Sequence, residues 1–327
     1  MGSRSPYGET CNSLKAELIS GGSSGGSAVA VARGQAAFSL GTDTAGSGRV
    51  PAHLNRLVGY KPSLGAWPVK GVVPACESLD CVSVFAWSLD DALAVDRVAR
   101  GSCSGDPWSR ELPVPGCSLP SRICVPIAGM VGFFGPFAAE YERAWAMSLA
   151  RIRGLGIPVE EVDASIYEEA AAILYEGPWV AERWAGLEAF VEANEGRLFP
   201  VTERILRSGA DGKHTAASLF KVMHKLQAYK LEARKRLEDA VLVMPTAGGT
   251  WTREQVRLDP VATNRDMGRY TNHCNLLDMC AVAVPSCDVA PDLPFGITFF
   301  ASAEREDLIR GAATLFEATI ALEREGV

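Results

Sequence analysis

Eight glycines and six serines crowd the 34 positions from Ile19 to Ala52, "ISGGSSGGSAVAVARGQAAFSLGTDTAGSGRVPA". The same stretch is full of alanine, valine and leucine, a share of apolar residues that a flexible linker does not carry. Bare backbone and hydroxyls must therefore lie against a packed interior. "QAAFSLGTD" reads as a buried strand breaking into a glycine loop. In "GTDTAGSGR" the residues around Ser47 are small enough for a tight turn. There the N–H groups of Thr44, Ala45, Gly46 and Ser47 could converge on one oxygen, as an oxyanion hole requires. "GGSSGG" sets the hydroxyls of Ser23 and Ser24 among glycines, so backbone and substrate can approach closely. Taken alone, "GGSSGG" equally describes a surface loop. The two segments together, with an apolar stretch between Ser23 and Ser47 long enough to leave a site and return, point to chemistry.

Other uses of such a stretch fit less well. There is no G-x-x-x-x-G-K-[ST] to cradle phosphates. A G-x-S-x-G elbow is excluded at Ser47, whose flanking positions are Ala45 and Arg49. Gly22 to Gly26 match it around Ser24, but "LKAELIS" is a poor strand to lead into an elbow. His53, His214, His224 and His273 show no ligand spacing, so no metal site is expected. None of the nine cysteines forms a C-x-x-C pair, and most sit in apolar contexts such as "RICVPI", which suits reduced thiols of a cytoplasmic protein. Adjacent His273 and Cys274 do not make a cysteine-hydrolase pair, because neighbouring side chains rarely point at one another.

The rest of the 327-residue chain alternates strands and helices, which predicts an α/β fold, a mixed twisted sheet covered by helices. "SLDDALAVDRVARG" is a helix with Ser88 and Asp91 in capping-box positions and Gly101 as its stop. "RICVPI" and "IPVEEVD" read as strands. Between them, Phe137, Tyr141, Trp145, Leu149 and Ile152 form the apolar stripe of a helix with Pro136 near its start and Gly154 at its end. A helical region follows from Ala164 to about Ala193, then a long amphipathic helix "TAASLFKVMHKLQAYKLEARKRLEDA". "VLVMP" and "PFGITFFA" are further strands, and the last helix begins near Glu306. No linker or repeat divides residues 1–327, which read as one domain. A formal charge of −7 argues against nucleic acid as a partner. No run of 18 apolar residues suggests a membrane span, and the N-terminus has no signal-peptide core.

"GGSSGGSAVAVARG" followed by "SLGTDTAGSGRVPA" resembles the signature of the amidase family whose members use a Ser–cis-Ser–Lys triad. Within that family "GSRSPYG", "GVVPACESLD", "YEGPWVAER" and "RYTNHCNLLDMCAVAVP…LPFGITF" look most like allophanate hydrolases, and the resemblance covers nearly the whole chain. It implies that Ser47 is the nucleophile. Ser23, behind a cis peptide bond, would relay the proton between Ser47 and a lysine. Thr44, Ala45 and Gly46 would supply oxyanion-hole amides, while Asp43 and Arg49 brace the loop and Ser24 gives a supporting hydrogen bond. Tyr175 and Arg183 would recognise the carboxylate of a small amide or urea carboxylate substrate. Their spacing of eight residues is close to two helical turns, although Gly177-Pro178 suits a break between them. A guanidinium matches a carboxylate bidentately; in isolation Arg183 would also suit a surface salt bridge. Tyr270 and Asn272 would line the pocket, or else form a structural turn before a buried helix. No cofactor is implied, and a homodimer is left open.

The family's catalytic lysine lies upstream of the cis serine. Here 22 residues precede Ser23, and their one lysine, Lys15, falls where the family has no catalytic position. Lys61, in "GYKPSLG", matches a structural lysine. A serine hydroxyl is a weak nucleophile until a base takes its proton. Three expectations follow. The chain is an allophanate-hydrolase-like amidase lacking its N-terminal portion and any C-terminal accessory domain; or a catalytically inactive amidase-fold protein; or the glutamine-hydrolysing component of an amidotransferase, passing ammonia to a partner.

Overall fold

The described residues of the computed structural model are 1–5 and 7–325, the side chains of Tyr175, Glu176 and 322–325 excepted. In chain order the first elements are α1 (Gly25–Ala32), β1 (Phe38–Thr42), α2 (Val50–Leu54), β2 (Val58–Lys61), β3 (Val82–Ala86) and α3 (Leu89–Ala99). Next come β4 (Arg122–Pro126), α4 (Ala138–Arg153), β5 (Val159–Val162), α5 (Ser165–Glu176), α6 (Trp179–Ala193), α7 (Pro200–Arg207) and α8 (Ala216–Arg236). The last part holds β6 (Ala240–Pro245), α9 (Arg253–Leu258), α10 (Ala262–Gly268), α11 (His273–Leu276), β7 (Met279–Ala290), β8 (Leu293–Ser302) and α12 (Glu306–Glu325).

The eight strands form one sheet in the order β1-β3-β2-β7-β8-β6-β4-β5. β4 pairs in parallel with β5 and β6, and every other neighbouring pair is antiparallel. The central strands are mostly apolar and buried because helices cover both faces. Successive residues of a strand point to opposite faces, so Val241 and Val243 of β6 join one core while Leu242 and Met244 join the other. The first core packs against α3, α4 and α12, the second against α5, α8 and α11. Tyr141, Trp145 and Ile152 from the α4 stripe are buried in the first. Ser88 caps α3 by accepting the Asp91 N–H, as its sequence predicts.

One expectation needs correction. β1 is not a buried strand: it lies at the end of the sheet, pairs only with β3, and leaves Phe38 and Leu40 about half exposed. The helical region over 164–193 is two helices, α5 and α6. They part at Gly177-Pro178, since proline has no N–H to donate and the residue before it avoids helical angles. All nine cysteines are free thiols. Among the described residues no helix is long and apolar enough to cross a membrane.

Candidate active site

The chain leaves β1 at Thr42 and turns sharply over residues 43–49 into α2. Asp43 organises the turn. Its carboxylate accepts the N–H of Gly46 at 2.7 Å and of Gly48 at 3.1 Å, together with Nε and Nη2 of Arg49 at 2.8 and 2.9 Å. Both side chains of this ion pair are completely buried. Burial alone would raise the Asp43 carboxyl, but the Arg49 charge and hydrogen bonds outweigh it and hold Asp43 below its ordinary value. Asp43 and Arg49 thus brace the loop.

This bracing corrects one expectation. The Gly46 amide is committed to Asp43, so it is not free to hold an oxyanion. The amides of Thr44, Ala45 and Ser47 make no hydrogen bond among the described residues, and all three residues line the adjacent cavity.

The turn is clamped from the far side by the segment between α10 and α11. Thr271 Oγ1 donates to the Ala45 carbonyl at 2.9 Å, and the Thr271 carbonyl accepts from Arg49 Nη2 at 3.2 Å. With its amide oriented by the surrounding donors and acceptors, Asn272 donates to the same Ala45 carbonyl at 2.8 Å. Gly46 has φ of +120°, and a Cβ there would lie 2.2 Å from Thr271 Oγ1, so glycine is required on both counts.

Ser23 approaches from α1, whose first residue is Gly25. The Gly22–Ser23 peptide bond is cis. Ser24 Oγ donates to the Thr42 carbonyl at 3.1 Å and so ties the "GGSSGG" segment to the end of β1. The two serine segments meet at a cavity of about 580 Å³ lined by Ser23, Ser47, Thr44, Ala45, Gly46, Arg183 and Asn272, with Arg4, Thr202, Leu206, Asn264 and Met267 among the other wall residues.

Arg183 reaches the wall from α6. Tyr175 sits in the last turn of α5, and its side chain lies outside the described residues. Tyr270 does not line the cavity. It is buried, and its hydroxyl donates to the Gly132 carbonyl at 2.8 Å and accepts the Gly132 N–H at 2.7 Å, which makes it a loop pin. Lys61, the last residue of β2, is fully buried with Nζ on the Pro62 carbonyl at 2.8 Å. His273 and Cys274 are buried away from the cavity; burial and the nearby Arg49 push His273 down to about 3, so it stays neutral. Among the described residues no lysine lines the cavity, and no cluster of His, Cys, Asp or Glu could hold a metal ion.

Sequence reasoning misses the supports outside the signature. Thr44 Oγ1 donates to Asp80 at 2.5 Å, and Glu182 accepts from Ser78. Both acids stand in motifs that carry the resemblance, "GVVPACESLD" and "YEGPWVAER", so their position is the available signal.

An amidase family model matches residues 1–309. Urea amidolyase of Lachancea kluyveri is 40% identical over 303 residues, covering 91% of this chain and 16% of that protein. Urea amidolyase of Saccharomyces cerevisiae is likewise 40% identical, over 306 residues, with 91% of this chain and 16% of that protein covered. The chain therefore spans about a sixth of the length of these curated relatives. The solved structure of Kluyveromyces lactis allophanate hydrolase superposes with a TM-score of 0.90 at 39% identity, covering 96% of this chain and 52% of that one. With the fold, the signature loops and these matches in agreement, the chain belongs to the amidase family.

Proposed function

We propose that this chain carries the nucleophile and substrate cradle of an allophanate-hydrolysing amidase. The observation that supports it is one cavity lined by both serines, the uncommitted amides of the 44–47 turn and Arg183. Allophanate has a carbamoyl group at one end and a carboxylate at the other. Arg183 would hold the carboxylate, with Tyr175 as its expected helper. Ser47 Oγ then attacks the carbamoyl carbon, and its proton passes to Ser23 and on to a base that this chain does not assign. The oxyanion that forms is held by the amides of Thr44, Ala45 and Ser47 in a turn already fixed by Asp43, Arg49 and Thr271, so no reorganisation is needed as charge develops. The C–N bond breaks, ammonia leaves with the returned proton, and a seryl acyl-enzyme remains. Water then adds to the acyl carbon and releases a dicarboxylated amine, which decarboxylates to carbon dioxide and ammonia. No step calls for a cofactor.

The experiment is ammonia release from fresh allophanate by this chain, by a version extended at the N-terminus with a family segment that supplies the lysine, and by the Ser47→Ala form of the extended protein. We expect the extended protein to exceed its Ser47→Ala form at least about a thousandfold. Equal rates would refute the assignment. Turnover absent from every form, with ligand binding intact, would favour an amidase-fold binding protein.

A further inference from the structure

The oxyanion turn and the arginine of the cavity belong to distant parts of the chain, yet one run of hydrogen bonds joins them. Thr44 Oγ1 donates to Asp80 Oδ1. The other oxygen of Asp80 accepts the N–H groups of Ala75 and Cys76 at 2.8 and 3.1 Å, which closes the 75–80 segment into a compact loop. Glu182 ties that loop to α6: Oε1 accepts the Ser78 N–H at 2.7 Å, while Oε2 accepts Ser78 Oγ at 2.7 Å and Cys76 Sγ at 3.2 Å. Burial first, and then the Glu182 carboxylate, push the Cys76 thiol well up, so it remains a donor. The residue after Glu182 is Arg183, and Ala75 and Arg183 both line the cavity.

From this connection we infer that Asp80 and Glu182 are positioning residues that fix the carboxylate-binding arginine relative to the oxyanion turn, and so set the preference for a substrate bearing a carboxylate over its neutral counterpart. The inference rests on the proposed role of Arg183. The link matters because the main packing partners of α6 are α5, α7 and the short 3-10 turn over 208–210, none of which carries the 43–49 turn. Without the 75–80 loop the arginine's distance from the turn would follow the motions of that helical lobe.

Electrostatics alone predicts the opposite sign. Glu182 is a carboxylate beside Arg183, so removing it makes the site more positive and should strengthen the binding of an anion. A positioning role predicts weaker and less selective anion binding. Malonamate is an isostere of allophanate with CH₂ in place of NH, and malonamide is its neutral counterpart. Titration calorimetry of this chain with both compounds gives a selectivity ratio that does not depend on turnover. For the wild type we expect malonamate to bind at least about tenfold tighter, which is 1.4 kcal/mol. In Glu182→Ala the ratio should fall to within about threefold of unity, with the loss falling on malonamate. Ser78→Ala, which removes a single donor and leaves the acid in place, should move the ratio in the same direction while keeping the fold, checked by circular dichroism. Asp80→Asn should weaken both ligands, because it also frees Thr44. A wild-type ratio retained in Ser78→Ala and Glu182→Ala, or tighter malonamate binding in Glu182→Ala, would overturn the inference. A wild type that does not distinguish the two ligands would instead refute the role given to Arg183, and the inference with it.

Discussion

Replacing Asp43 with asparagine is nearly isosteric, yet it should be among the costliest single changes available to this chain. The carboxylate accepts four hydrogen bonds, two from main-chain amides of the turn and two from Arg49, with no solvent access to either partner. An asparagine presents one acceptor and one NH₂ group. Whichever way it turns, the NH₂ faces N–H donors, and Arg49 is left as a buried charge without its counterion. Removing one partner of a buried pair costs about 3–5 kcal/mol, a large part of the roughly 5–15 kcal/mol that holds a domain folded. Urea unfolding followed by circular dichroism should show that loss, and malonamate binding should vanish as Gly46 and Gly48 are released. The paired change Asp43→Asn with Arg49→Met removes both charges and should recover most of the stability, because an apolar filling of the site is tolerated. It should not recover binding, because the turn has lost its acceptor. An Asp43→Asn protein within about 1 kcal/mol of wild type, and still able to bind malonamate, would refute this view of the loop.

Three further expectations concern pH and the clamp on the turn. Burial pushes both His53 and His273 down to about 3 from an ordinary 6.5, so the folded chain keeps them neutral while the unfolded chain takes up protons as pH falls below 6.5. Each should therefore cost about 1.4 kcal/mol per pH unit between 6.5 and about 3, hence about 2 kcal/mol per histidine and about 4 kcal/mol together at pH 5. No effect is expected above 6.5, and His53→Asn, which can still accept the Gly296 N–H, should halve the slope. Stability that is flat from pH 6.5 to 5 would contradict this. Asp43 has the opposite kind of partner but the same direction of effect: its pKa is depressed, so its contribution is present above the ordinary carboxylate range and is lost only at more acid pH. Thr271→Val removes one of the two donors on the Ala45 carbonyl while keeping the branched shape of the side chain. We expect allophanate turnover by the lysine-bearing protein to fall about tenfold, about 1.4 kcal/mol in the barrier, with KM little changed; an unchanged kcat would remove Thr271 from the positioning of the turn.

The parts of the fold that are legible in the sequence are those with a local cause. Ser88 and Asp91 start α3, the stripe from Tyr141 to Ile152 buries α4, and Gly177-Pro178 parts α5 from α6. The signature segments likewise tell where the chain bends and which hydroxyls face a cavity. What stays hidden depends on partners far along the chain. β1 carries the same kind of residues as a central strand, and only its place at the end of the sheet exposes Phe38 and Leu40. Nothing in "GTDTAGSG" says which amides the aspartate will consume, yet its side chain takes the N–H groups of the third and fifth residues on, Gly46 and Gly48, and so occupies one of the amides expected to hold an oxyanion, that of Gly46. The neighbours of Tyr270 in sequence suggest the pocket; its hydroxyl instead finds the main chain of Gly132, 138 residues away. Asp80 and Glu182 escape notice because acids near a surface ordinarily mark solvated positions.

A crystal structure of this chain with malonamate bound would decide whether the cavity works as described. The amide oxygen should sit 2.7–3.1 Å, the range of an oxyanion-hole contact, from at least two of the N–H groups of Thr44, Ala45 and Ser47, with its carbon facing Ser47 Oγ and the carboxylate on Arg183. A ligand held elsewhere, or one whose amide oxygen points away from the 44–47 turn, would contradict the assignment of nucleophile, oxyanion donors and anchor together.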